Sequence, residues 1–352
     1  MPIELLGKSA EELRALAEAW GEPTYRGDQI YHAMYAERRF EASVMTNLPS
    51  ALRERISAEA SIRLPRIARR YQSADGSVRY LLSLDGEAGA PAQVEAVFMP
   101  DVGEDARRQT ICISTQAGCA VDCHFCLTAQ LGLKRNLSAG EIVGQVLAVL
   151  EDQRGRLLPR TNVVLMGQGE PLLNYEPVMA ALRILLDPEG VGLSPKHVTL
   201  STSGIVPGIE RMGAEPVRPK LAISLNASND DERDAIMPIN RKYPLTVLLD
   251  ACRKYPLRSW ERLTFEYVLL GGFNDEPDDA RRVAKLLANI RARVNLIPWN
   301  PGELPYKPPS KEAIEEFRRI LVGKGVPVFV RYSRGQDIMA ACGQLALIET
   351  PA

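Results

Sequence analysis

Apolar residues recur at helical spacing near the start of the chain, then alternate as in strands, then settle into a repeating strand–helix rhythm. Ser9-Ala-Glu-Glu12 has the form of a capping box, in which hydroxyl and carboxylate each satisfy the other's backbone N–H. Leu13, Leu16, Ala17 and Trp20 follow on one helical face, and Gly21-Glu-Pro23 stops the helix because proline cannot continue it. Asp28 is a candidate cap for a second helix carrying Ile30, Met34 and Tyr35, and Leu52 and Ile56 suit a third. Residues 1–64 therefore read as a helical accessory module.

Residues 65–108 read as a short β extension. Segments 67–71 and 78–84 flank Asp75-Gly76, a hairpin signal. Val94, Ala96 and Phe98 alternate with Glu95 and Val97, the pattern of a half-buried strand, after a loop at 85–91 rich in Gly, Ala and Pro. From 109 to 347, apolar strands read at 111–114, 162–166, 197–201, 221–225, 263–270 and 293–298, with helix-like stretches between most of them. Ser138-Ala-Gly-Glu141 forms a second capping box before Ile142, Val146 and Leu150. Repeated strand–helix units predict an α/β fold whose parallel sheet is closed or partly closed into a barrel. Nearly every strand is followed by polar or glycine residues, and in such a barrel those loops share one face, so distant motifs converge on one pocket.

Composition adds exclusions. A chain of 352 residues, 45% hydrophobic and 25% charged, has the makings of a sizeable core. Glu4, Glu11 and Glu12 near the start argue against a secretory signal, and no stretch approaches the roughly 18 apolar residues of a membrane span. We expect a cytoplasmic protein with no membrane partner. A net charge of −1 gives no bulk attraction to nucleic acid, although Arg66, Arg69 and Arg70, with Arg107 and Arg108, cluster locally.

The six cysteines are uneven: Cys119-Ala-Val-Asp-Cys123-His-Phe-Cys126 packs three into eight residues, leaving Cys112, Cys252 and Cys342 apart. Three thiolates in a tight loop fit a [4Fe–4S] cluster with one iron left open, where the amino and carboxylate groups of S-adenosylmethionine (SAM) could chelate. The other reading is structural zinc with Cys112 or His124 as fourth ligand, although no second C-x2-C knuckle exists. Gly167-Gln-Gly-Glu170 after a strand allows close backbone approach, with Glu170 a candidate acceptor for the SAM amino group. Ser201, Ser224 and Asn300 end strands on the same face.

These motifs together resemble the RlmN-type family of dual-specificity ribosomal and transfer RNA adenine-C2 methyltransferases, over essentially the whole chain. Its carriers include Thr24-Tyr-Arg-Gly-Asp-Gln29, Val94-Glu-Ala-Val-Phe-Met-Pro100, the cysteine block, Met166-Gly-Gln-Gly-Glu-Pro-Leu-Leu-Asn174, Ser201-Thr-Ser-Gly204, Pro238-Ile-Asn240, Val294-Asn-Leu-Ile-Pro-Trp-Asn-Pro301 and Ala341-Cys-Gly-Gln-Leu345. The family more often has Met and His where this chain has Gln168 and Asn226. The related adenine-C8 methyltransferases share the machinery, but Thr128-Ala-Gln130 and Gly169-Glu-Pro-Leu-Leu173 look more like the C2 enzymes.

The resemblance implies a partial (β/α)6-type radical SAM barrel, cluster ligation by Cys119, Cys123 and Cys126, and SAM contacts from Gly169, Glu170, Ser201, Ser224, Leu225, Asn226 and Asn300. It implies Cys342 as methyl carrier, Cys112 as the thiol that resolves the protein–RNA intermediate into a disulfide, and Glu95 as proton acceptor. The implied partners are 23S rRNA, tRNA and an electron donor of the flavodoxin type. A zinc-containing RNA-binding protein remains the non-enzymatic alternative.

Overall fold

The capping box at Ser9 forms as its residues dictate: the hydroxyl accepts from the Glu12 N–H at 3.2 Å and the Glu12 carboxylate accepts from the Ser9 N–H at 2.8 Å. The computed structural model describes residues 2–85, 90–103, 105–301 and 303–347. In the module, β1 (Ile3–Glu4), α1 (Ala10–Ala19), α2 (Tyr25–Tyr35), α3 (Ser50–Glu59) and β2 (Ala60–Ser61) follow in order. Two expectations are corrected. The module is not all helical, because β1 and β2 pair in parallel, and two-residue strands are too short to show alternation. Nor does Asp28 cap α2, which starts a turn earlier; Asp28 lies in the first turn and binds Arg14 at 2.8 Å.

The extension is an antiparallel run of β3 (Arg66–Gln72), β4 (Val78–Leu84) and β5 (Ala92–Pro100), with Gly76 at φ +83° in the first turn. The predicted loop at 85–91 lies partly outside the described residues. Residues 94 through 98 of β5 are all buried, so this strand is covered on both faces rather than one. The cover comes from the end of the chain, as described below.

The parallel half of the sheet begins at β6 (Arg108–Cys112). The cysteine loop after it is framed by a small ladder of β7 (Gln116–Ala117) and β8 (Arg135–Asn136), with the short helix α4 (Leu127–Gln130) between. There follow α5 (Ala139–Asp152), β9 (Arg160–Leu165), α6 (Tyr175–Leu186), β10 (Val198–Thr202), α7 (Val206–Ala214), β11 (Lys220–Ser224), α8 (Asp230–Ile236), α9 (Leu245–Lys254), β12 (Leu263–Leu269), α10 (Pro277–Leu286), β13 (Ala292–Pro298), α11 (Lys311–Gly323) and β14 (Val328–Val330). The six expected barrel strands are all present, and β14 adds a short seventh. Among the described residues the sheet has ten strands in the order β14-β13-β12-β11-β10-β9-β6-β5-β4-β3. Its two edges do not pair, so the barrel is open.

A strap closes that gap. Residues 331–347 leave β14 and cross to the extension, where Asp75 accepts the Gly335 N–H at 2.9 Å and Asp337 accepts from the Ser73 hydroxyl at 2.6 Å. Higher up, the Leu347 N–H reaches the Glu95 carboxylate at 3.0 Å, and the Thr128 hydroxyl donates to the Leu345 carbonyl at 2.6 Å. Ile338, Ala340 and Leu345 pack on Tyr71, Val97 and Cys112, which is why β5 has no exposed face. Cys342 thus sits in a turn of this strap.

The module packs on the outer side of α5 and α6, and one buried apolar cluster runs from Leu5, Leu13 and Ile56 through to Ile142, Val146 and Leu182. At the junction a Cβ on Gly140 would stand 2.4 Å from the Leu6 carbonyl oxygen. Gly140→Ala would favour helix α5 on propensity alone. We expect instead a loss of about 1–3 kcal/mol in urea unfolding, because the methyl overpacks the junction; an unchanged or raised midpoint would contradict this.

Candidate functional site

The loop after β6 is held so that all three triad cysteines face one cavity. Gly118 takes φ +77°, and a Cβ there would meet the Gly132 carbonyl oxygen at 1.7 Å. The Cys119 N–H donates to that same carbonyl at 3.2 Å, and the Cys126 N–H donates to Cys123 O at 3.0 Å. Cys119, Cys123 and Cys126 line a cavity of about 160 Å³ together with Gly169, Glu170, Ser201, Ser224, Asn226, Asn300 and Cys342. Leu225 is the exception: its side chain is fully buried in the main core and faces away from the cavity. Only its backbone is nearby, as the next residue after Ser224.

Burial pushes all three triad thiols up, Cys119 to about 11, and the charges of the neighbouring cysteines add to the shift at Cys119 and Cys123. Three thiolates in one cavity therefore need a positive partner, the condition that iron meets. The zinc alternative lacks its fourth ligand. His124 Nδ1 lies 2.8 Å from the Ala235 carbonyl, and Cys112 lines a different cavity. Among the described residues no three His, Cys, Asp or Glu side chains converge on one metal position. A cluster does not require them to, since each cysteine binds its own iron. The residues fit a [4Fe–4S] cluster better than a single ion.

Around the cavity the polar side chains are fixed by neighbours. Glu170 accepts from the Leu172 N–H at 3.1 Å and the Ser203 N–H at 2.7 Å; burial raises its carboxyl, and bonds from Ser203, Thr202 and Leu172 oppose that. Asn226 takes φ +57°, a conformation asparagine tolerates, and accepts from the Val268 N–H at 2.9 Å. Asn300 donates to Ser333 Oγ at 2.8 Å and to the Cys342 carbonyl at 3.4 Å, which ties β13's end to the strap. Two residues here escape sequence reading. The buried Arg233 donates to the carbonyls of Ser203, Ser224 and Leu225, joining the segments after β10 and at the end of β11. Glu266 lines the cavity from β12 and accepts from Ser201 Oγ at 3.0 Å. Its signal was a lone acid in Leu-Thr-Phe-Glu-Tyr-Val-Leu, an otherwise apolar strand.

A larger cavity of about 620 Å³ adjoins this one, sharing Cys126, Glu266 and Cys342 in its wall, and it also contains Cys112. Both Cys112 and Cys342 are free thiols here, electrostatically coupled to each other. Desolvation of the sulfur raises both, although the Cys342 residue as a whole is exposed; Cys342, helped by the charge of Glu266, reaches about 12. Glu95 is elsewhere. It is fully buried beneath the strap, lines neither cavity, and is bound by Arg79, by the Leu347 N–H, and by Gln168 Nε2 at 3.3 Å. Gln168 is itself held by its N–H on Ser114 Oγ at 2.9 Å, while its Oε1 has no hydrogen-bond partner among the described residues.

An open parallel barrel with a triad of cysteines after its first strand defines a class, and the sequence matches the radical SAM superfamily over residues 113–287. Residues 3–62 match the ribosomal RNA large subunit methyltransferase N-terminal domain. The chain is 49% identical to a probable dual-specificity RNA methyltransferase RlmN of Koribacter versatilis (strain Ellin345), over 94% of this chain and 98% of that one. It is 47% identical to the dual-specificity RNA methyltransferase RlmN of Anaeromyxobacter dehalogenans (strain 2CP-C), over 96% and 90%. The crystal structure of a radical SAM methyltransferase from Sphaerobacter thermophilus superposes with a TM-score of 0.89 at 43% identity, covering 98% of this chain and 99% of that one. The chain belongs to the RlmN family of radical SAM RNA methyltransferases, whose cofactors are a [4Fe–4S] cluster and SAM.

Glu95 forms an ion pair with the Arg79 guanidinium, and both side chains are fully buried. Glu95→Gln keeps the shape but leaves that charge beside a neutral amide. We expect a loss of about 3 kcal/mol or more in urea unfolding, with much of it recovered when Arg79→Met is added. A Glu95→Gln protein as stable as the parent would show that the pair is not what holds this region.

Proposed function

We propose that this chain methylates carbon 2 of adenine in 23S rRNA and in tRNA, with Cys342 as methyl carrier. The observation that carries the reading is that Cys342 stands in the wall common to both cavities, with the cysteine triad on one side and Cys112 on the other. Cys119, Cys123 and Cys126 would hold the cluster, which together with SAM would supply a 5′-deoxyadenosyl radical. SAM contacts fall to Gly169, Glu170, Ser201, Ser224, Asn226 and Asn300, and to the backbone of Leu225.

Carbon 2 of adenine is not nucleophilic, so a thiol must hold the incoming carbon. Cys342 takes a methyl group as a thioether and, once that methyl has lost a hydrogen atom, carries the carbon that bonds to adenine. Glu95 takes the proton from carbon 2, which requires the Leu347 end of the strap to lift from it, and the unpaired electron of the adduct would pass to the oxidised cluster. The Cys112 thiolate then attacks the Cys342 sulfur and breaks its bond to the transferred carbon; the two sulfurs form a disulfide, and that carbon takes up a proton as the methylated base departs. The cycle closes when an electron donor of the flavodoxin type reduces that disulfide and supplies the cluster. The reading places the enzyme in the cytoplasm, and no helix among the described residues is long and apolar enough to cross a membrane. Residues 1–64 serve as an accessory module for RNA, residues 65–108 as the link, and residues 109–347 as the catalytic barrel.

Nucleosides from RNA treated with the protein, SAM and a reductant should contain 2-methyladenosine by mass spectrometry. A product of 8-methyladenosine would move the chain to the related resistance chemistry, and no methylated adenine would remove the reading. Cys112→Ala should form the carbon–carbon bond but fail to release it. We expect protein linked to RNA through Cys342 on a denaturing gel, and normal turnover without such an adduct would exclude Cys112 from that role.

A further inference from the structure

The larger cavity has a basic rim that the methyl-transfer chemistry does not use. Alternate residues of the barrel strands point inward, so β13 contributes Arg293, Asn295 and Ile297 to the cavity from its amino-terminal end upward. At that amino-terminal end stand Arg160, Lys196, Lys220 and Arg293; Arg331 also lines the cavity, directly after β14, with its backbone N–H on the Leu296 carbonyl of β13 at 2.7 Å. Among the described residues none of these five has an ion-pair partner within 4.0 Å; the nearby Asp101 is taken by Arg108 at 3.0 Å. Their mutual repulsion registers in the half-buried members. Lys220 is lowered by burial and then by Arg293, and Arg293 by burial and then by Arg331.

Exposed aromatic faces lie among these cations. Phe329 is 47% exposed and Tyr332 67% exposed, and the Arg331 guanidinium stands 5.4 Å from the Phe329 ring centroid. Phe329 pairs in register with Asn295, which places its ring on the cavity side of the sheet. Tyr332 lines the cavity itself. Unneutralised cations interleaved with open rings suit single-stranded nucleic acid, whose phosphates take the charges and whose unstacked bases take the rings. The same cavity leads from this rim to Cys112 and Cys342.

We propose that an RNA loop enters the barrel from the amino-terminal ends of the strands. Its backbone lies on Arg160, Lys220, Arg293 and Arg331, neighbouring bases stack on Phe329 and Tyr332, and one flipped base passes inward to the two thiols. This rests on RNA being the substrate. It also moves the main RNA contact away from the helical module, none of whose described residues lines either cavity.

The test is binding alone, by fluorescence anisotropy of the full-length protein without SAM, using a labelled RNA hairpin with adenines in its loop. Arg293→Gln with Arg331→Gln should flatten the dependence of log affinity on log salt by about 1.4, roughly 0.7 for each phosphate no longer neutralised. Phe329→Ala with Tyr332→Ala should weaken loop binding about tenfold or more and leave the salt slope alone. Neither pair should alter the weak binding of a blunt duplex of the same stem by as much. Thermal unfolding of each variant checks that the substitutions, including the half-buried Arg293, have not disturbed the fold. Unchanged hairpin affinity and slope in both pairs overturn the proposal. So does intact RNA binding accompanied by slower turnover with a protein electron donor, which would assign the rim to that acidic partner. If the hairpin results hold while no methylated adenine forms, the rim stands and the methylation reading falls.

Discussion

The buried pair of Arg79 and Glu95 is the constraint on which the site depends. A half-barrel has an open side, and among the described residues the covering for that side is the strap of residues 331–347, whose upper end is fastened by the Leu347 N–H on Glu95. Arg79 keeps that carboxylate in place from below while Tyr71 stacks on the guanidinium at 4.1 Å. Burying two charges is costly unless each finds the other, so this part of the molecule has few alternative arrangements. The position of Cys342 follows from it. With the strap fastened at Glu95 and Asp75, the thiol stands at the partition between the two cavities.

Under the proposed chemistry the same contact gives Glu95 two tasks that exclude one another. As an anchor it holds Arg79, Gln168 and Leu347; as the proposed proton acceptor it would need a free oxygen facing the base. Gln168 adds a donor to this set. On that proposal, substrate arrival and strap release would be coupled through one carboxylate.

Local chemistry was legible in the sequence wherever it was self-contained. Both capping boxes, the Asp75-Gly76 turn and the six barrel strands could be read because each depends on neighbours in the chain. The triad followed from its spacing, Glu170 from the glycine motif after a strand, and Ser201, Ser224 and Asn300 from strand-end position, while Asn226 came only with the family resemblance. What could not be read depends on distant partners. The alternation in β5 promised one wet face, but the strap that covers it lies more than two hundred residues away. Arg233 carried no signal in the sequence, yet it binds three carbonyls of other segments. Leu225 came only with the family resemblance, and strand geometry turns every second side chain to the other face.

The strap also orders the events of biosynthesis. A chain emerges amino terminus first, and domains fold as their residues become available. The triad loop and strands β6 to β13 all precede residues 331–347 in the chain and so emerge first. Until the strap follows, the flank of the barrel that it covers has no cover from this segment. That interval would be a natural window for delivering iron and sulfide. The segment that brings Cys342 is also the one that would end that window.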